Sequence, residues 1–228
     1  MRRVCLEHEV QLMDGVMWYH HPRAKKILDL IRSDSLGEHR RLTSAFTFCW
    51  DTIPENDLRL QRNLGGGSLG DLGWYCIGAA LWAFNELPQK VFGTARPYND
   101  VDLNFSGIMW FSKDRIASFD CGFDVSMRKW FELAGTKASL VCDDFTRPWE
   151  NTTPQFRITD SQGNSTKYET ENPLQETCMI NHFCKIIRSG HLEQQWPDLG
   201  INTQRVLNAL DYSARTETVV NLADFFPK

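Results

Sequence analysis

The stretch from Val101 to Phe123 constrains the fold of this chain more than any other segment. Val101, Leu103, Phe105, Gly107, Met109 and Phe111 fall at every second position, and Ala117, Phe119, Cys121 and Phe123 repeat the pattern beyond Ser112-Lys113-Asp114. A period of two sends successive side chains to opposite faces of a strand. The segment therefore predicts two antiparallel strands joined by a tight turn, with one strongly apolar face. A lone hairpin cannot cover such a face, so further strands and a second layer are required.

Both are legible. Arg40 to Cys49, Trp130 to Leu133 and Ala138 to Cys142 are β-prone, and Gln155 to Thr159 pairs with Lys167 to Thr170 across Ser161-Gln162-Gly163-Asn164. Val10 to Trp18 is apolar-rich, is broken by Asp14-Gly15, and predicts a buried strand leading into His20, His21, Pro22 and Arg23. Helical spacing begins at Pro22 and runs to about Ser33, with Ile27, Leu28, Leu30 and Ile31 as the stripe and Gly37 beyond its end. Ser68 to Phe84 repeats Leu72, Cys76, Ala79, Ala80 and Ala83 at helical intervals, after a polar loop from Trp50 to Leu64. Two helices close the chain. Asn172 and Pro173 start the first, with Leu174, Cys178, Ile180, Phe183 and Ile187 along one side, and Thr203 to Ala214 forms the second. The expected class is α+β, an open, mainly antiparallel sheet backed by helices.

The chain has 228 residues, 42% hydrophobic and 24% charged, which excludes a disordered or fibrous protein. A net charge of -4 and the lack of a long basic tract argue against nucleic acid. No apolar run approaches the roughly 20 residues of a membrane span, and Arg2-Arg3 is followed by Glu7, His8 and Glu9 instead of a signal core. The seven cysteines are scattered and odd in number, which fits reduced thiols in a cytoplasmic protein.

Gly65, Gly67 and Gly70 satisfy the G-x-G-x-x-G spacing of a dinucleotide turn. That fingerprint needs a buried strand directly before it, whereas Asp57 to Leu64 is a polar loop. The glycine run is better taken as a bend that lets backbone approach a ligand or a neighbouring helix. Downstream, Asp71 and Tyr75 are four apart and share a helical face, which suits an acid/base pair working on a hydroxyl. The plainer alternative is an Asp complementing the helix dipole beside a packed Tyr. His20, His21 and Arg23 suit either a ligand contact or a solvated loop, and no carboxylate or cysteine completes a metal-binding motif there.

Taken together, these segments resemble the glucose-fructose oxidoreductase and inositol dehydrogenase family, Gfo/Idh/MocA, and within it the dihydrodiol and xylose dehydrogenase-like members. The likeness covers nearly the whole chain. VQLMDGVMWYHHPR is similar to the family's last nucleotide-domain strand and crossover, and GGGSLGDLGWYCIGA to its active-site helix. GTKASLVCDDF is similar to a later strand and turn, and NPLQETCMINHF with LNALDYSAR to the closing helices.

The resemblance implies an NAD or NADP-dependent oxidoreductase that moves a hydride between nicotinamide and a carbon of a sugar, polyol or diol. It implies Asp71 and Tyr75 as catalytic residues. His21, Pro22 and Arg23 would border the cofactor, Trp18, Gly66 and Gly67 the substrate, and no metal is implied. It also implies a homodimer formed through the sheet face. The family's opening nucleotide-binding strand and turn, and its Glu-Lys-Pro motif, have no counterpart before Val10. Residues 1–37 are therefore expected to be a remnant of a Rossmann domain, and 38–228 a substrate-binding and oligomerisation domain. The rival expectation is a non-catalytic dimerisation or ligand-binding module.

Overall fold

The structure, a computed structural model, describes residues 1–54 and 56–226. Helix α1 (Arg2–Glu7) precedes an irregular segment, a 3-10 turn at Met17–His20 and α2 (Pro22–Arg32). Strand β1 (His39–Cys49) follows, then two further 3-10 turns, Leu58–Leu60 and Arg62–Leu64. A π-helical turn, Leu69–Gly73, runs directly into α3 (Trp74–Phe84). Seven strands come next: β2 (Lys90–Tyr98), β3 (Val101–Trp110), β4 (Ile116–Gly122), β5 (Asp124–Gly135), β6 (Ala138–Cys142), β7 (Gln155–Asp160) and β8 (Ser165–Glu169). Helices α4 (Gln175–Ser189) and α5 (Gln195–Thr216), a short β9 (Val220–Asn221) and α6 (Leu222–Phe225) complete the described chain.

The strands form one sheet in the order β8-β7-β6-β5-β1-β4-β3-β2-β9. Among the described strands the β1–β4 pair is parallel and the other neighbours are antiparallel. The hairpin expected from the alternation is β3–β4, with Phe105 opposite Cys121, Gly107 opposite Phe119 and Met109 opposite Ala117, all buried on the inner face.

Helix α3 lies on that face. Cys76, Ile77, Ala79, Ala80, Leu81, Ala83 and Phe84 are all buried, so the helix is apolar nearly all round and is enclosed between sheet and α5. Residues before and after position 37 share this core, since Trp18, Ile27 and Ile31 cluster with Leu42, Phe131 and Leu140. A buried ion pair joins α2 to the turn after β6. Arg23 binds the Asp144 carboxylate and, at 2.9 Å, the Asp144 carbonyl oxygen, and both side chains are almost fully buried.

Two expectations need correction. Val10 to Trp18 forms no strand; it runs as an irregular segment, held at Gln11, into the 3-10 turn at Met17–His20. Gln11 exchanges hydrogen bonds of 2.8 and 3.0 Å with the Glu193 backbone, and Val10 is exposed. His20, His21 and Arg23 consequently sit at the start of a helix, not at the end of a strand. Helix α4 begins at Gln175, past Asn172 and Pro173, and its inward face carries Gln175, Met179, His182, Phe183 and Ile186. Of the expected stripe, Cys178 and Phe183 are partly covered, whereas Leu174, Ile180 and Ile187 are exposed.

Candidate active site

The polar loop before the glycine run folds back on itself. Its two 3-10 turns bring the Arg59 carbonyl to the Gly67 amide, which donates to it at 2.7 Å, while the Gly66 amide donates to the Gln61 carbonyl at 3.0 Å. A Cβ at Gly66 would stand 2.6 Å from the Arg59 carbonyl oxygen. Gly67 holds φ +112°, and a Cβ there would run into the Asp102 carboxylate. No side chain fits either place, so the run is a close-approach bend, as its sequence context suggested.

That approach anchors the site helix at two points. From β3, Asp102 accepts from the Ser68 hydroxyl at 2.5 Å and from the Leu69 amide at 2.8 Å, holding the first turn down. From the loop, the Arg59 guanidinium Nε donates to Asp71 Oδ2 at 2.7 Å while its other arm reaches Asp57. Asp71 lies within the π turn, a widened turn that often occurs at functional sites, and Tyr75 follows in the first turn of α3.

The structure brings Asp71 and Tyr75 together, both partly exposed. Burial, then the Asp71 carboxylate, then Asp14, push the Tyr75 phenol above its ordinary value; Arg147 opposes them. Its ring packs edge-on against Phe46 of β1, with centroids 5.3 Å apart. The phenol is thus a neutral hydroxyl at physiological pH, in a field set by two acids and opposed by one cation. Asp14, Arg59, Asp102 and Arg147 were not singled out from sequence. Each reaches the site from a different segment, and only the Arg59 side of the polar loop lies near it in the chain.

The other candidate residues are used differently. Trp18 is 3% exposed and packs against Trp82 and Phe145 at 5.0 and 5.2 Å, so it is part of the core and not a free surface for substrate. His21 Nδ1 accepts from the Arg23 amide at 3.1 Å and so caps α2, while Pro22 occupies its first position. Arg23 is committed to Asp144, which leaves His21, Pro22 and Arg23 without an exposed charged group for a cofactor. Gly66 lines a cleft of about 270 Å³ with Trp74, Gln204 and Asp211, on the α5 side of the site helix. The cysteines are free, and burial pushes the Cys76 thiol up to about 12, which makes it a packing group. Among the described residues no cluster of three or more His, Cys, Asp or Glu is arranged to hold a metal. No described helix is long and apolar enough to cross a membrane.

Residues 24–141 match the model of the GFO/IDH/MocA C-terminal domain. The chain belongs to this family. Among its relatives is D-xylose 1-dehydrogenase (NADP(+)) 2 of Haloferax volcanii, 25% identical over 96% of this chain and 66% of the relative. An aldose-aldose oxidoreductase from Caulobacter crescentus, solved with glycerol, superposes with a TM-score of 0.86 at 22% identity, covering 96% of this chain and 66% of that one. A 3-ketoreductase from Actinomadura kijaniata, solved with NADP and TDP-benzene, gives 0.84 at 22% identity over 93% and 65%. At such identities the two structures establish the fold. The chain spans 62–66% of the length of relatives that it matches over most of its own sequence.

The electrostatics of the pair are open to direct measurement. Asp71→Asn removes the largest charge acting on the Tyr75 phenol, so the phenol should titrate closer to its ordinary value. Ultraviolet difference titration, with Tyr75→Phe identifying the transition, should show the midpoint fall; an unmoved midpoint would mean that the two groups do not interact.

Proposed function

We propose that this chain provides the substrate side of an NAD or NADP-dependent oxidoreductase acting on a hydroxyl or carbonyl carbon of a sugar, polyol or diol. The observation that carries the proposal is the neutral Tyr75 phenol beside an Asp71 carboxylate tied down by Arg59. Family membership and the dehydrogenase and reductase relatives support it.

A nicotinamide carrier supplies the hydride chemistry when bound. The one G-x-G-x-x-G in the chain follows 3-10 turns and wraps the Arg59 turn, so that run is not a dinucleotide turn. Every role assigned to the described residues concerns the substrate. In reduction, the carbonyl oxygen gains negative charge, and Tyr75 Oη is placed to hydrogen-bond that oxygen and give it a proton. In oxidation the proton moves the other way: Tyr75 Oη takes the substrate's hydroxyl proton as it passes its own phenolic proton to solvent. Asp71 orients the phenol and, held by Arg59, cannot swing away. Tyr75→Phe in the active enzyme should lower kcat by about 10²–10⁴-fold and leave the cofactor KM unchanged. Unchanged turnover would remove Tyr75 from the mechanism.

The outer face of the sheet supports a second part of the proposal, a homodimer in the cytoplasm. Phe92 and Ile108 are direct cross-strand neighbours there, and Trp110 and Trp130 lie on the same face, none of them fully buried. Such a surface suits burial against a second copy. Sedimentation should show a dimer that Ile108→Lys dissociates; a wild-type chain that stays monomeric at high concentration contradicts it.

A further inference from the structure

The inner face of β5 carries a lysine where its neighbours are apolar. Lys129 alternates with Phe131 and Leu133, and its partner across the ladder is Phe46, the residue whose ring packs on Tyr75. Directly opposed residues of antiparallel strands have Cβ atoms about 4.5–5.5 Å apart, so one aromatic ring separates the lysine stem from the phenol.

Lys129 is only 8% exposed. Its ammonium lies 3.6 Å from the centroid of the Trp149 ring, an attraction that eases burial of the charge without neutralising it. No carboxylate among the described residues pairs with it. Asp144 and, more weakly, Glu150 act on it, but neither pairs with it, and each Asp144 oxygen already accepts a hydrogen bond, one from Arg23 and the other from the Trp149 amide at 2.9 Å. Two buried donors near the same turn lack acceptors: Nε1 of Trp18, whose ring packs on Phe145, and Nε2 of His21, which is 2% exposed. Arg147, on that turn, adds positive potential at Tyr75 although it also pairs with Glu176. An ammonium with no paired carboxylate keeps its charge free for an anion that reaches it. The site is therefore polarised, with Asp14 and Asp71 acting on the phenol from one set of segments and Lys129 and Arg147 gathered around the 144–150 turn.

We propose that Lys129 holds an anionic substituent of the substrate, which makes the substrate class an acidic sugar or polyol, not a neutral one. The reacting carbon lies over Tyr75 and the acid group points toward Lys129 and Arg147. This rests on Tyr75 as the group that handles the proton.

The test is calorimetric titration of the purified chain, at low ionic strength, with D-glucose, D-glucuronate and D-glucose 6-phosphate. A charge-assisted contact predicts that at least one acidic ligand binds about tenfold or more tightly than glucose, and that Lys129→Met abolishes the preference while the chain stays folded by circular dichroism. Tighter binding of glucuronate assigns a carboxylate, and tighter binding of the phosphate a phosphate ester; both uphold the anion. Equal binding of all three, no binding of any, or a preference that survives Lys129→Met overturns the proposal and leaves Lys129 as a packing group for Trp149. Tyr75→Phe should keep the preference, so failure of the redox assignment and failure of this one are read separately.

Discussion

The arrangement of the site depends on how closely one apolar helix can approach the sheet. Helix α3 presents small residues to its surroundings, among them Cys76, Ala79, Ala80 and Ala83, all buried. At its entrance Gly73 leaves so little room that a Cβ would stand 3.2 Å from the Cys121 sulfur on β4. The helix has no polar face on which to rotate, and Ile77, Leu81 and Phe84 are buried along with its small residues. Its first turns are therefore fixed in both rotation and height, and Asp71 and Tyr75 emerge together at the end where Asp102 and Arg59 grip the chain.

That rigidity separates two tasks. The glycine run, often a mark of nucleotide binding, here serves the helix: Gly66 is small so that the Arg59 turn can lie against it, and Gly67 so that the Asp102 carboxylate can. The chemical groups project from the anchored turn, so their spacing is set by backbone and not by flexible loops. The charges reaching Tyr75 come from separate segments, Asp14 before α2, Asp71 in the π turn and Arg147 after β6, which makes the local field a property of the folded chain as a whole.

The sequence disclosed the periodic parts of this design and hid the rest for physical reasons. Alternation revealed the β3–β4 hairpin because burial on one face of a strand imposes a period of two. Helical spacing revealed α3 and placed Asp71 and Tyr75 on one face. Arg59 carried no such signal, since a polar loop has no period and only the two 3-10 turns bring its guanidinium to Asp71. Val10 to Trp18 misled because an apolar run looks the same whether it pairs in a sheet or packs as an irregular segment, and its Gln11 partner lies 182 residues away. On α4, Leu174, Ile180 and Ile187 are as apolar as its buried residues, so composition did not reveal which way the helix faces.

The proposed function puts substrate at the anchored turn, over Tyr75. A crystal structure of the chain soaked with a polyol should show a ligand hydroxyl within hydrogen-bond distance of Tyr75 Oη, with the Arg59–Asp71 ion pair intact. A polyol bound instead in the cleft lined by Trp74, Gln204 and Asp211, with Tyr75 untouched, would contradict that placement.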